Sequence, residues 1–142
     1  MRNVSQIIDR KGSRVVSVGK DAPVLEAIRL MAEYHIGAVL VMQGEELVGI
    51  ASERDYARKV ILQGKSSHDI PVREIMTGTV ITVQPRHTVE QCMALMTNKR
   101  IRHLPVMDGD RLVGVLSIGD LVKEVIAEQE ATIRQLESYI HS

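Results

Sequence analysis

The stretch GVLSIGD, residues 114–120, decides how this chain is read, because GIASERD, residues 49–55, repeats it 65 positions earlier. In each copy a short aliphatic run ends in a serine, and an aspartate follows three positions later. An amphipathic segment begins at once. The same offset aligns the chain without a gap from Val18/Val83 to Ile61/Ile126, with 15 of those 44 pairs identical. Two copies at this spacing are a duplication and not a solenoid, so every other element has to be looked for twice.

Working outward, AVLVM (38–42) and ELVGIA (46–51) are expected to be short strands around Gln43-Gly44-Glu45, a hairpin signal. HLPVM (103–107) and RLVGVL (111–116) repeat the pattern around Asp108-Gly109-Asp110. Upstream, Asp21 and Pro23 open a helix with Asp21 as its N-cap. Val24, Ala27, Ile28, Met31 and Ala32 give it one apolar face, and Gly37 closes it. Its counterpart runs from Val89 to about Asn98. Brief β-branched strands, Val15, Val16 and Val18 and then VITV (80–83), open the two copies. A helix over 53–62 follows the first serine, burying Tyr56, Ala57, Val60 and Ile61; another starts at Ile118. VSQII (4–8) is a lead-in helix ended by Gly12 and Ser13, echoed by VREIM (72–76).

Each half therefore reads β-α-β-β-α, and the fold class is α+β. The organisation expected is a first repeat over 4–64, a linker over 65–71, a second repeat over 72–127 and a helical tail over 128–142. The linker expectation rests on the polar, Ser-rich run 64–69. A half of about 60 residues buries little surface alone, so each half is expected to cover its sheet with the other's. The tail departs from the repeat. Ile126, Ile133, Leu136 and Ile140 form a helical stripe that either docks on the body or lies between chains.

Composition narrows the function. Formal net charge is zero, so no global field recruits nucleic acid or an anionic membrane. Aromatic residues are 2% of the chain, three Tyr with no Phe or Trp, which argues against a single-strand stacking platform. One cysteine, Cys92, permits no intrachain disulfide and agrees with a reducing compartment. The first residues lack a signal-peptide core, and no apolar run reaches the roughly 20 residues of a membrane span. A cytoplasmic protein is expected.

The repeated element carries two readings. A strand ending at Ser117 beside a helix start presents free N–H groups, an anion site. The hydroxyl can donate to a phosphate, while an ionised, acceptor-only Asp120 suits the two hydroxyls of a ribose. Gly114 and Gly49 let a ligand or a strand come close. Yet S-x-x-D is also a helix-capping pattern, and duplication copies caps as faithfully as sites. Lys99, Arg100, Arg102 and His103 form a basic cluster that either accepts phosphates or complements a helix end. Arg54 either offsets Asp55 or stays at the surface. Five histidines show no ligand spacing with Cys or Asp, so no metal is expected. Cys92, Met93 and Met96 read as core. No nucleophile has a base and orienter, and the element lacks the Gly-Lys-Ser/Thr end of a phosphate-binding loop.

Taken together, MTGTVITVQPRHTVEQCMALM, IRHLPVMDGDRLVGVLSIGDLV and HIGAVLVMQGEELVGIASERDYA resemble a tandem pair of CBS domains, the modules named after cystathionine β-synthase. The resemblance covers about residues 4 to 127, and IRQLESYI is similar to the tails of small stand-alone bacterial signal-transduction members. It implies a pseudo-two-fold disc whose clefts between repeats bind adenine nucleotides (AMP, ADP, ATP or NAD(H)), often in a homodimer. By the same resemblance Ser117 and Asp120, with Arg102, His103, Leu104 and Pro105, form one ligand site together with Thr79, Val80 and Ile81. Ser52, Arg54 and Asp55 form the other with Gly37, Ala38, Val39, Arg14 and Val16. Leu40 replaces the family proline there, and Gly37-Ala38 replaces Arg-His. The expected function is a non-enzymatic regulatory module that relays nucleotide occupancy to a partner. The alternative is a scaffold with vestigial clefts, and an enzyme acting on nucleotides is the third class.

Overall fold

The computed structural model describes residues 2–141; residue 142, the end of the expected tail, lies outside the described residues. The chain divides into two compact units. One is Val15–Ile81; the other joins the segment up to Arg14 to everything from Thr82 onward.

In the first unit, β1 (Ser17–Gly19) runs parallel to β2 (Ala38–Gln43), which pairs antiparallel with β3 (Glu46–Ser52). The sheet order is β1-β2-β3, and α2 (Val24–Tyr34) makes the crossover from β1 to β2. Gly44 turns the hairpin at φ 62°, a left-handed conformation that glycine adopts without a Cβ clash. Val18, Val24, Ala27, Met31, Val39, Val41, Ala51 and Val60 close the core with Ile70, Val72 and Ile75. Val72 and Ile75 come from the lead-in of the second sequence copy, through a 3₁₀ turn at Val72–Glu74, and Ile70 from the residues just before it. That lead-in is tied down: Val72 N–H donates to the Ala22 carbonyl (2.8 Å), and Thr77 and Ile50 exchange bonds of 2.9 and 3.1 Å.

The second unit holds α1 (Val4–Lys11), α4 (Val89–Lys99), β4 (His103–Asp108), β5 (Arg111–Ser117) and α5 (Ile118–His141). Here the first copy's lead-in is the visitor. Val4 N–H donates to the His87 carbonyl at 2.9 Å, and Val4 and Ile7 are buried. The compact units are thus not the sequence repeats: each is built on the body of one copy and receives the lead-in of the other. Ile8 and Met76, the last residues of the two lead-in motifs, end against the two equivalent glycines. A Cβ on Gly114 would lie 2.7 Å from Ile8 Cδ1, and one on Gly49 2.3 Å from Met76 Sδ and 3.1 Å from the Thr77 carbonyl. The close approach expected at these glycines is made by the chain itself.

Several expectations need correction. Val15 and Val16 precede β1 and are not part of it, and VITV (80–83) is no strand: only Val83 bridges, in parallel, to Val106. Two prolines account for that. In the first unit Leu40 N–H donates to the Val16 carbonyl and Lys20 N–H to the Met42 carbonyl, both at 3.1 Å. The equivalent positions are Pro105 and Pro85, which have no N–H to give. The second unit keeps only the Val83–Pro105 and Met107–Val83 bonds, 3.0 and 2.8 Å. Asp21 does not cap α2. It pairs with Arg73 at 2.6 Å, and the first amides of α2 go to the carbonyls of Ile70 (2.9 Å) and Ser67 (3.1 Å). The helix after Ser52 has only one regular turn, α3 (Glu53–Tyr56), before a π-helical turn at Ala57–Ile61. That wider turn swings Ala57 and Ile61 to solvent and leaves Val60 as the buried residue. The expected helical tail is the continuation of α5. Among the described residues no helix is long and apolar enough to cross a membrane.

Candidate functional site

Both copies of the serine–aspartate element sit at a strand-to-helix joint, and both are capping boxes. Ser117 N–H and Oγ–H both donate to Asp120 Oδ2, at 2.8 and 3.0 Å, while Asp120 N–H donates back to Ser117 Oγ at 3.2 Å. Ser52 and Asp55 repeat this at 2.9, 2.9 and 3.2 Å. The capping reading of S-x-x-D is therefore realised twice. A hydroxyl has one proton, and each serine has spent it on its aspartate. The donors of the cap converge on Oδ2 of Asp120, so the cap itself does not use Oδ1.

Strand register decides what faces each joint. In the second unit His103 lies opposite Ser117, and Ile118 N–H donates to the Arg102 carbonyl (2.9 Å). In the first, Ala38 lies opposite Ser52, and Glu53 N–H donates to the Gly37 carbonyl (3.0 Å). The structure thus gathers His103, Ser117, Asp120 and the Arg102 backbone into one cluster. Ala38, Ser52, Asp55 and the Gly37 backbone form the other. Arg54 and the Arg102 side chain are exposed beside them. Leu104, Pro105 and Val39 are buried strand residues, so their side chains form wall and core. Thr79, Val80 and Ile81 belong to the unit that contains Ser52, and Arg14 to the one that contains Ser117. Val16 contributes its carbonyl to β2.

The charges around the two aspartates are arranged differently. Lys11, from the end of α1, donates from Nζ to Asp120 Oδ2 and to the Val115 carbonyl, both at 2.6 Å. Asp55 instead has its own helix neighbour, with Lys59 Nζ 3.5 Å from Oδ1 and 2.9 Å from the Ile75 carbonyl. Glu124 occupies the position equivalent to Lys59 and is buried. It pairs with Arg10 and, at 2.7 Å, with Arg2. Burial alone would raise the Asp120 carboxyl, but the Lys11 bond and the Ser117 donors outweigh it and hold it below its ordinary value. His103 moves down as well: burial leads, Lys11 and Arg102 add to it, and only Asp120 opposes. The imidazole is neutral at pH 7. Although Ser, His and Asp meet here, they form no proton relay, because Ser117 Oγ donates to Asp120 and not to the imidazole.

Lys59 was legible in the sequence as an i,i+4 partner of Asp55. Lys11, Arg2, Arg10 and Glu124 were not, since Lys11 and Asp120 lie 109 positions apart. What the clusters offer is a preorganised carboxylate acceptor beside a cation, where a strand pair meets a helix.

Comparison with known proteins identifies the family. The family model described as CBS domain matches twice, at residues 4–61 and 72–127. The chain is 42% identical over 125 residues to the CBS domain-containing protein CBSX3, mitochondrial, of Arabidopsis thaliana. That match covers 84% of this chain and 61% of that protein, so the chain spans about three-fifths of its length. A solved structure from Burkholderia ambifaria MC40-6, described as a signal-transduction protein with CBS domains, is 52% identical with a TM-score of 0.86. It covers 89% of this chain and 96% of that one. The CBS domain pair of protein MJ0100, in complex with 5'-methylthioadenosine and S-adenosyl-L-methionine, shares the fold at a TM-score of 0.79. Its identity is 24%, over 90% of this chain and 98% of that one.

Proposed function

The chain belongs to the CBS domain family as a tandem pair, a regulatory module, and from that premise we propose that it senses adenine nucleotides (AMP, ADP, ATP or NAD(H)). Asp120 and Asp55 accept the ribose hydroxyls, and occupancy is relayed to a protein partner from a homodimer. The observation that carries this is a carboxylate already oriented by its serine through one oxygen. The cap consumes Oδ2 of Asp120 and leaves Oδ1, so cap and ligand site are not competing roles. The Lys11 ammonium beside it complements phosphate charge. The backbone of Arg102 to Pro105 supplies the edge for adenine beside Asp120, and that of Gly37 to Val39 the edge beside Asp55. The adenosine-derived ligands held by the MJ0100 pair support this reading of the ligand class.

Signalling requires only that the nucleotide bind two arrangements of the protein unequally. No step of bond chemistry is assigned, and bound nucleotide is expected to be recovered unchanged. The test is a thermal-shift screen with AMP, ADP, ATP, NAD, NADH and S-adenosylmethionine. A specific ligand at 100 times its dissociation constant stabilises by about 2.7 kcal/mol. Absence of a shift with all six would favour a scaffold with vestigial clefts, and product formation would favour an enzyme.

A further inference from the structure

In the last third of α5, residues 132–141 are exposed on every face of the helix. Its apolar side chains, interrupted once by Gln129, are nonetheless in strict order. Val122, Ile126, Gln129, Ile133, Leu136 and Ile140 are spaced alternately by four and three, the 3.5-residue period of a coiled-coil seam. The apolar members run from 41% exposed at Val122 to 76% at Ile140. Leu121 and Glu124, on another face of the same helix, are the residues buried in the body. The seam thus points away from the fold that anchors it. The family match stops at residue 127, so the repeat accounts for neither the tail nor its order.

From this spacing and its charges we infer that residues 122–140 form an antiparallel two-helix coiled coil with a second copy of this chain. The antiparallel register makes the seam complementary to itself. Val122 faces the partner's Ile140, Ile126 the partner's Leu136 and Gln129 the partner's Ile133, with the same three layers repeated by symmetry. Lys123 then flanks the partner's Glu137 twice, against one facing of Glu130 on the partner's Glu130. In a parallel pair Lys123 and Glu137 stay about 21 Å apart along the axis and gain nothing. This deepens the homodimer reading above and is independent of nucleotide binding.

Sedimentation of the full chain tests it. The parent is expected to be dimeric at micromolar concentration, and Ile133→Asp to raise the dissociation constant by about 100-fold or more, since each dimer buries the new charge twice. Circular dichroism and the nucleotide thermal shift are expected to stay at parental values. Orientation is read by cross-linking. Cys92 is buried with its thiol pushed up to about 11, so it stays out of the reaction. Val122→Cys mixed with Ile140→Cys is expected to give a disulfide-linked dimer under mild oxidation, and each variant alone is not. A monomeric parent, with the stripe folded back or reserved for another protein, overturns both the seam and the homodimer. A dimer indifferent to Ile133→Asp overturns the seam alone, and self-linking by Val122→Cys overturns the orientation.

Discussion

Asp55 and Asp120 occupy the same repeat position, and their capping boxes agree within about 0.1 Å at each of three bonds. Four residues later the copies part: Lys59 in the first, Glu124 in the second. The lysine neutralises the aspartate of its own helix. The glutamate cannot, and the cation comes instead from Lys11 on α1, while Glu124 binds Arg2 and Arg10 of the same N-terminal segment. Duplication preserved the backbone device and let the charge network be rebuilt around it. The lead-in motifs are 68 positions apart where the bodies are 65 apart. Three extra residues let α1 run on to Lys11, whereas the second lead-in makes only a 3₁₀ turn.

The largest expected effect tests whether the two aspartates are separate sites. If each holds a ribose through charge-assisted bonds, Asp120→Ala and Asp55→Ala each weaken a different one of two nucleotides by roughly 10- to 150-fold, or about 1.5–3 kcal/mol. Calorimetry on the parent should resolve two affinities. Two sites at parental affinity in both variants would reduce the aspartates to caps, and an effect of Asp120→Ala alone would make the first copy structural.

A middle-sized effect separates the glycines. Gly49→Ala meets a methionine side chain and also the Thr77 carbonyl, which is backbone and cannot swing aside, so a loss of about 1–3 kcal/mol is expected. Gly114→Ala meets only the end of Ile8 and should lose less. Urea unfolding with an unchanged m-value measures both, and an equal loss would dissolve the distinction.

The smallest effect concerns His103, where the first copy has Ala38. Its folded pKa is depressed, so the unfolded chain binds more protons in the window between the folded value and about 6.5. The stability it contributes is present above about 6.5 and is lost as pH falls through the folded value. His103→Ala should flatten the pH dependence of the melting temperature in that window, and an unchanged slope would place the proton elsewhere. Asp120 acts in a lower window. Its contribution is present above about 3.9 and is lost as pH falls through its depressed folded value.

The sequence by itself determined the duplication, both hairpins, the apolar faces of α2 and α4 and the serine–aspartate joints. All of these rest on spacings of two, three or four residues, within reach of local geometry. The loss of a strand at 80–83 was also written there, in Pro85 and Pro105, but became readable only once their partners were known. Local pattern could not say where the lead-ins go. VSQII and VREIM are short apolar turns that fit either body, and only packing against Gly114 and Gly49 chose the other copy's unit for each. Nor could it foresee that Lys11 would reach Asp120, because an ion pair across 109 positions depends on where two helices end in space. Periodicity can specify a helix and its apolar face, whereas the tertiary structure decides which charge meets which.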